Sequence, residues 1–211
     1  MRLASAALAM ERVERRPAAI LAADVSGYCR LIGADEEGTL ARLKAHRREL
    51  IDPKISEHKG RIVKTTGDGV LAEFASTVDA LRCAGEVQAA MTERNAAVPA
   101  DSRIQFRMGI HQGDIVVEDG DIFGDGVNIA ARLEGLARAG GICVSARVQE
   151  DAAGKLDLAF EGIGEQQPKN IARPVRVFRL RPDRVAEARQ TPEPSLALPD
   201  SHRSRCCPSP T

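Results

Sequence analysis

The sequence predicts an α/β domain of the α+β kind: a ferredoxin-like antiparallel sheet with flanking helices. Three observations predict it. Short β-rich runs and helical stripes follow in the order strand, helix, strand, strand, helix, strand, which is the ferredoxin-like order. Gly67-Asp68-Gly69 parts two of the runs with a strong hairpin signal. The chain's 211 residues suffice for one domain with a sizeable core.

Each element has its own signal. Ala18–Ala23 is a short apolar run closed by Asp24-Val-Ser-Gly-Tyr28, a buried strand ending in a carboxylate and a loop. Asp35-Glu-Glu places acids at a helix start, and Leu40, Leu43, Arg47 and Leu50 follow at helical spacing. Pro53 kinks this region and Lys59-Gly60 ends it. Arg61–Thr65 and Val70–Phe74 form the hairpin. Val78, Leu81, Ala84, Val87 and Met91 make an amphipathic helical stripe. Ile104–Ile110 and Ile115–Val117 read as a second strand pair joined by His111-Gln-Gly113. Gly124–Leu136 reads as a helix stopped by Gly140-Gly141. Ile142–Val144, Leu156–Phe160 and Val175–Leu180 complete the strands.

The ends differ from the middle. Leu3–Met10 is apolar but short, and it runs into charged residues 11–16 without a clear small-residue cleavage site. We read 1–16 as a leader, 17–181 as the folded domain, and 182–211 as a disordered Pro-rich tail holding six of the eleven prolines.

Composition narrows the partners. Thirty basic and thirty acidic residues cancel, so no global field favours nucleic acid or an anionic membrane. With no Trp, one Tyr and five Phe, a base-stacking surface for single-stranded nucleic acid is not expected. Five cysteines without C-x-x-C spacing indicate free thiols in a reducing, cytoplasmic setting. No apolar run nears the roughly 20 residues of a membrane helix. A P-loop, an H-E-x-x-H zinc helix and a G-x-S-x-G elbow are all missing from the sequence.

Two constellations carry chemistry. Asp24 closes the central first strand and Asp68 sits in the neighbouring hairpin's turn, so both carboxylates can converge on one hard cation. A bare turn and a strand cap would explain them equally well from spacing alone. Asn128 and Arg132, four apart, share one face near a helix start, where they would meet an anionic or ribosyl ligand; a solvated polar face is the plainer reading.

Taken together, Asp24-Val-Ser-Gly-Tyr28, Lys64-Thr-Thr-Gly-Asp68-Gly, Gly109-Ile-His-Gln-Gly113 and Asp121-Ile-Phe-Gly-(x)3-Asn128-Ile-Ala-Ala-Arg132 resemble the signature blocks of the class III adenylate/guanylate cyclase catalytic domain. The resemblance runs from about Pro17 to Leu180 and implies the nucleotide cyclase fold. It implies that Asp24 and Asp68 bind two divalent metal ions (Mg2+ or Mn2+), that Lys64 and Asp121 read the purine, and that Asn128 orients the ribose. It further implies that Arg132 stabilises the transition state, that Lys169 binds the triphosphate, and that two copies pair head to tail as a homodimer sharing its sites.

The implied reaction converts ATP to cyclic AMP and pyrophosphate. A Lys donor suits adenine N1 and an Asp acceptor suits the exocyclic amine, whereas guanine presents the reverse pattern; Lys64 with Asp121 therefore argues for ATP. A guanylate cyclase and a catalytically silent, nucleotide-binding relative are the alternatives. The chain departs from the family pattern at Cys29, at His111 and at Pro168, which bears on where Lys169 sits.

Overall fold

The computed structural model describes residues 14–167 and 174–181. One eight-stranded sheet runs through it, ordered β2-β3-β1-β4-β6-β8-β7, with β5 paired to β4 alone. The strands are β1 (Glu14–Val25), β2 (Arg61–Thr66), β3 (Gly69–Phe74), β4 (Phe106–Glu118), β5 (Asp121–Phe123), β6 (Ile142–Ser145), β7 (Phe160–Gln166) and β8 (Val175–Leu180). The helices are α1 (Tyr28–Ala34), α2 (Glu36–His46), α3 (Asp52–Glu57), α4 (Thr77–Arg94), α5 (Asp125–Leu136) and α6 (Ala146–Ala152). The antiparallel set β2-β3-β1-β4 is the expected ferredoxin-like sheet. β6 then joins β4 in parallel and carries β8 and β7 outward.

β1 is central, and its alternation explains why Ala18–Ala23 reads as one apolar run: both faces are buried. Ala19, Leu21, Ala23 and Val25 face one core with Phe74, Phe106 and the helices α1 to α4 and α6. Ala18, Ile20 and Ala22 face the other with Leu71, Ile115, Ile122 and Ala130 of α5. The first core is the larger, and α5 alone among the helices lies on the second face.

Several expectations hold at residue level. α2 starts at Asp35 as expected, its side chain accepting from Gly38 N. Pro53 is the second residue of α3, directly after a π-helical turn over Arg47–Ile51 that interrupts the regular helix where the proline was expected to disturb it. The hairpin of β2 and β3 closes on Gly67 and Asp68, with Gly67 at φ +55.

Four expectations are corrected. Ile104–Ile110 and Ile115–Val117 are not two strands: β4 runs unbroken through His111-Gln-Gly113, paired with β1 from Phe106 opposite Val25 to Val117 opposite Glu14. A continuous partner strand keeps those polar residues extended. The turn comes later, at Asp119 (φ 50) and Gly120 (φ 81), a left-handed pair that returns the chain as β5. The strand expected at Leu156–Phe160 begins where that run ends, because β7 is a Gly-rich ribbon whose Gly162 and Gly164 straddle a register shift. Two short helices, α1 and α6, occupy stretches expected to be loop or left unassigned. β1 also starts at Glu14, so residues 14–16 belong to the sheet. The leader's remainder, the tail from 182 and Lys169 lie outside the described residues.

β2 carries a bulge that matters later. Ile62 stands opposite Ala72, yet Lys64 stands opposite Leu71, so Val63 is the extra residue. Directly paired residues share a face, so the bulge turns Lys64 to the Leu71 side of the sheet.

α5 rests on β4 at Gly109. A Cβ there would overlap Ala130 O and Glu134 N, both backbone atoms that cannot swing aside. Gly109→Ala should therefore destabilise the domain by about 2 kcal/mol or more, since a packed helix must shift. Gly135 lies in the same helix with open space around it. Gly135→Ala should stabilise by roughly 0.5–1 kcal/mol, through helix propensity alone. Urea unfolding of both variants checks the contrast; equal effects would mean that the helix does not bear on Gly109.

Candidate active site

Asp24 stands one residue from the end of β1, and Asp68 sits in the β2–β3 turn. The turn comes close because of Gly69, where a Cβ would stand 2.8 Å from Thr66 Oγ1 and 3.3 Å from Ala23 O. Burial, and then a hydrogen bond with the Asp24 carboxylate, push the Asp68 carboxyl up to about 6. The two expected metal ligands are thus neighbours.

The pair has neighbours that sequence reasoning missed. Arg107 is the cross-strand partner of Asp24 in the β1–β4 register. Its Nη2 lies 2.9 Å from Asp24 Oδ2 and 3.0 Å from Glu134 Oε1 of α5. Burial pushes Glu134 up to about 7 against the pull of Arg107, with Asp24 and Asp68 adding to the push. Three carboxylates around one guanidinium leave a negative balance when all are ionised. Together with hard oxygen donors, that fits a divalent cation better than a second buried base. Strand alternation could have signalled Arg107, a charge flanked by the core residues Phe106 and Met108. Glu134 had no such signal, because it is found only through the helix seated on Gly109.

The second pair joins edge strand β2 to β5. Lys64 Nζ is 2.9 Å from Asp121 Oδ2 and 3.2 Å from Oδ1, while Ile122 N donates to Oδ1 at 2.7 Å. The Lys64 ammonium, with that backbone N–H, holds the Asp121 carboxyl below its ordinary range. The bulge at Val63 and the Asp119-Gly120 turn make this meeting possible, since they point residues of β2 and β5 at each other. Asn128 and Arg132 are exposed on α5 as their spacing requires. His111 is not at the site: its Nδ1 is 2.9 Å from Ser145 Oγ, and burial pushes it down to about 4.

The structure therefore brings Asp24 to Asp68 and Lys64 to Asp121. Among the described residues no hydrogen bond or ion pair joins the first pair to the second, to Asn128 or to Arg132. No cluster of three or more His, Cys, Asp or Glu among them forms a self-sufficient metal cage. No helix among them is long and apolar enough to cross a membrane.

Residues 10–169 match the family model of the adenylate and guanylate cyclase catalytic domain, and the chain belongs to that family. It is 47 % identical over 181 residues to Putative adenylate cyclase 3 of Rhizobium meliloti (strain 1021), covering 85 % of this chain and 31 % of that protein. The chain thus spans about a third of that relative's length. The crystal structure of an adenylate/guanylate cyclase/hydrolase from Silicibacter pomeroyi superposes with TM-score 0.78 at 53 % identity, covering 82 % of this chain and all of that one. The adenylyl cyclase CyaB from P. aeruginosa (22 % identity, TM-score 0.69, 80 % and 95 % covered) and the guanylyl cyclase Cya2 (23 %, 0.68, 80 % and 93 %) share the fold. The fold is thus common to proteins named for either base.

The Asp68 shift has a sign that can be tested. The folded protein keeps the Asp68 proton to about pH 6, whereas an unfolded aspartate loses it near 3.8. The stability this group lends is complete below about pH 4 and lost as pH rises through 6. Without metal, ionised Asp68 is then a net cost at pH 7.5. Asp68→Asn in EDTA should melt a few degrees above the parent at pH 7.5, with the gap closing towards pH 4 to 5. Calorimetry across that range checks it; a gap independent of pH would mean that the two carboxylates do not interact.

Proposed function

We propose that this chain is the catalytic part of an adenylate cyclase, forming 3′,5′-cyclic AMP and pyrophosphate from ATP at sites shared between two copies. The convergence of Asp24 and Asp68 on one point carries the reading. Two hard carboxylates set side by side, with Asp68 held above its ordinary range by burial and by Asp24, make a pair that a divalent cation would suit. Asp24 and Asp68 would hold two such ions, Mg2+ or Mn2+. Bound there, they would make the ATP 3′-hydroxyl a better nucleophile and offset charge on the departing pyrophosphate.

The other residues take roles that suit their chemistry. Lys64 donates to adenine N1 and Asp121 accepts from the exocyclic amine. Their mutual ion pair is exposed, with side chains 44 % and 34 % accessible, and such pairs contribute about 1 kcal/mol or less, so a base can displace it cheaply. Asn128 orients the ribose. Arg132 places a fixed cation where negative charge builds at the α-phosphate. Lys169 would neutralise the triphosphate.

Sharing between copies is consistent with the two groups making no hydrogen bond or ion pair to one another among the described residues. It is supported too by Phe123, 48 % exposed beside Asp121, an apolar surface of the kind an interface covers. In this arrangement the aspartates of one copy face the purine-reading pair and Arg132 of the other.

Base choice is tested by exchanging the reading pair. Lys64→Glu with Asp121→Cys should narrow the ATP-over-GTP preference in kcat/KM by about tenfold or more, since a misplaced donor and acceptor leave polar groups unpaired. Steady-state kinetics on both nucleotides decides it; an unchanged preference would show that neither residue reads the base, and GTP turnover by the parent chain would make it a guanylate cyclase.

Site sharing is tested by complementation. Asp68→Ala and Arg132→Ala should each be nearly inactive, the latter through loss of about 3 kcal/mol of transition-state stabilisation, roughly a hundredfold in rate. Mixed in equal amounts, they should recover about a quarter of the parent activity, because half of randomly paired dimers carry one intact site of two. No recovery despite demonstrated subunit exchange would mean that each site is built within one chain.

A further inference from the structure

Edge strand β2 reaches the β4–β5 turn through two cationic side chains. Lys64 meets the Asp121 carboxylate. Arg61, on the same side of the sheet, donates from Nη1 to Gly120 O at 2.7 Å, one residue ahead of Asp121. Arg61 is itself braced, because its Nε donates to Glu73 Oε1 at 2.6 Å. The same oxygen accepts from Arg16 Nη2 of β1 at 2.7 Å.

Glu73 is a charged residue only 5 % exposed. A buried carboxylate persists where cations and hydrogen bonds offset its lost hydration. Here two guanidinium groups from neighbouring strands converge on one oxygen, while Oε2 is buried without a partner. A charge-assisted bond of this kind fixes direction as well as distance. With Nε held, the planar guanidinium has little choice of where Nη1 points, and it points at the Gly120 carbonyl.

The turn needs such a hold. β5 is three residues long, and its turn is built of left-handed Asp119 and Gly120. The Lys64–Asp121 pair is open to solvent on both sides. Reading adenine through one donor and one acceptor requires the two at a fixed separation, and neither β5 nor the exposed ion pair supplies that rigidity.

We propose that Arg61 is a specificity-positioning residue. Braced by buried Glu73, it pins the β4–β5 turn to β2 so that Asp121 stays at a fixed reach from Lys64. Arg61 does not touch the nucleotide; it acts through the place it gives Asp121. The inference rests on the reading that Lys64 and Asp121 recognise the base.

The test uses the whole chain and four variants, with ATP and GTP kinetics on each. Arg61→Gln should raise the KM for ATP about tenfold, leave kcat within about twofold and narrow the ATP-over-GTP preference. Arg61→Lys should behave like Arg61→Gln, since an ammonium cannot serve Glu73 and Gly120 O together in the geometry of a guanidinium. Asp121→Ala should narrow the preference by itself, and adding Arg61→Gln to it should change nothing further. Arg16→Gln frees the other arm on Glu73 and should leave the preference intact. If Arg61→Gln does not fold, Glu73→Gln keeps the shape of the brace without its charge and should narrow the preference in the same direction. A lower melting temperature with an unchanged preference, an effect on kcat alone, or losses that multiply in the double variant would each overturn the proposal. If Asp121→Ala itself leaves the preference unchanged, the base-reading assignment fails, and that outcome is distinct from a failure of Arg61.

Discussion

The contact on which the rest depends is the seat of α5 on Gly109. Only a residue without a side chain lets the helix backbone settle onto β4 there. From that seat follow the depth of Glu134, its reach to Arg107, and the exposure of Asn128 and Arg132 on the outer side of the same helix. α5 is also the lone helix on the second face, so its height above the sheet sets how much of that face stays open. On the opposite face, α4 and its neighbours bury the larger core and ask nothing of the site beyond a firm floor.

Charge is arranged in two separate centres. At the end of β1 the carboxylates outnumber the one guanidinium, a potential that attracts cations. Beside the β4–β5 turn three cations hold two carboxylates and tie strands together. The first centre is poorly balanced alone and the second is nearly self-sufficient. That contrast separates a place waiting to bind charge from a place that must hold shape.

Much of this was legible in the residues. Asp24 and Asp68 were readable because a strand end and a tight Gly-flanked turn are local signals, and the ferredoxin-like order makes them neighbours. Lys64, Asp121, Asn128 and Arg132 were readable through blocks that resemble a known family. What escaped notice depended on distant contacts. His111-Gln-Gly113 has turn-like composition, yet a twelve-residue partner strand overrides it. Arg107 and Glu134 sit 27 positions apart and meet only because α5 crosses β4. The Glu73 brace joins three strands, and no local pattern announces it.

The bulge at Val63 bears on how β2 tolerates a change of register. Strand geometry counts residues by twos, so β2 is in effect a parity counter with one deliberate miscount. A change that drew Val63 into the ladder opposite Leu71 would restore regular pairing while turning Lys64 and its successors to the opposite sides of the sheet. Such a chain could fold, express and resist proteolysis like its parent while having lost the meeting of Lys64 with Asp121. Selection on foldedness alone is blind to that register, which only selection on the product can preserve.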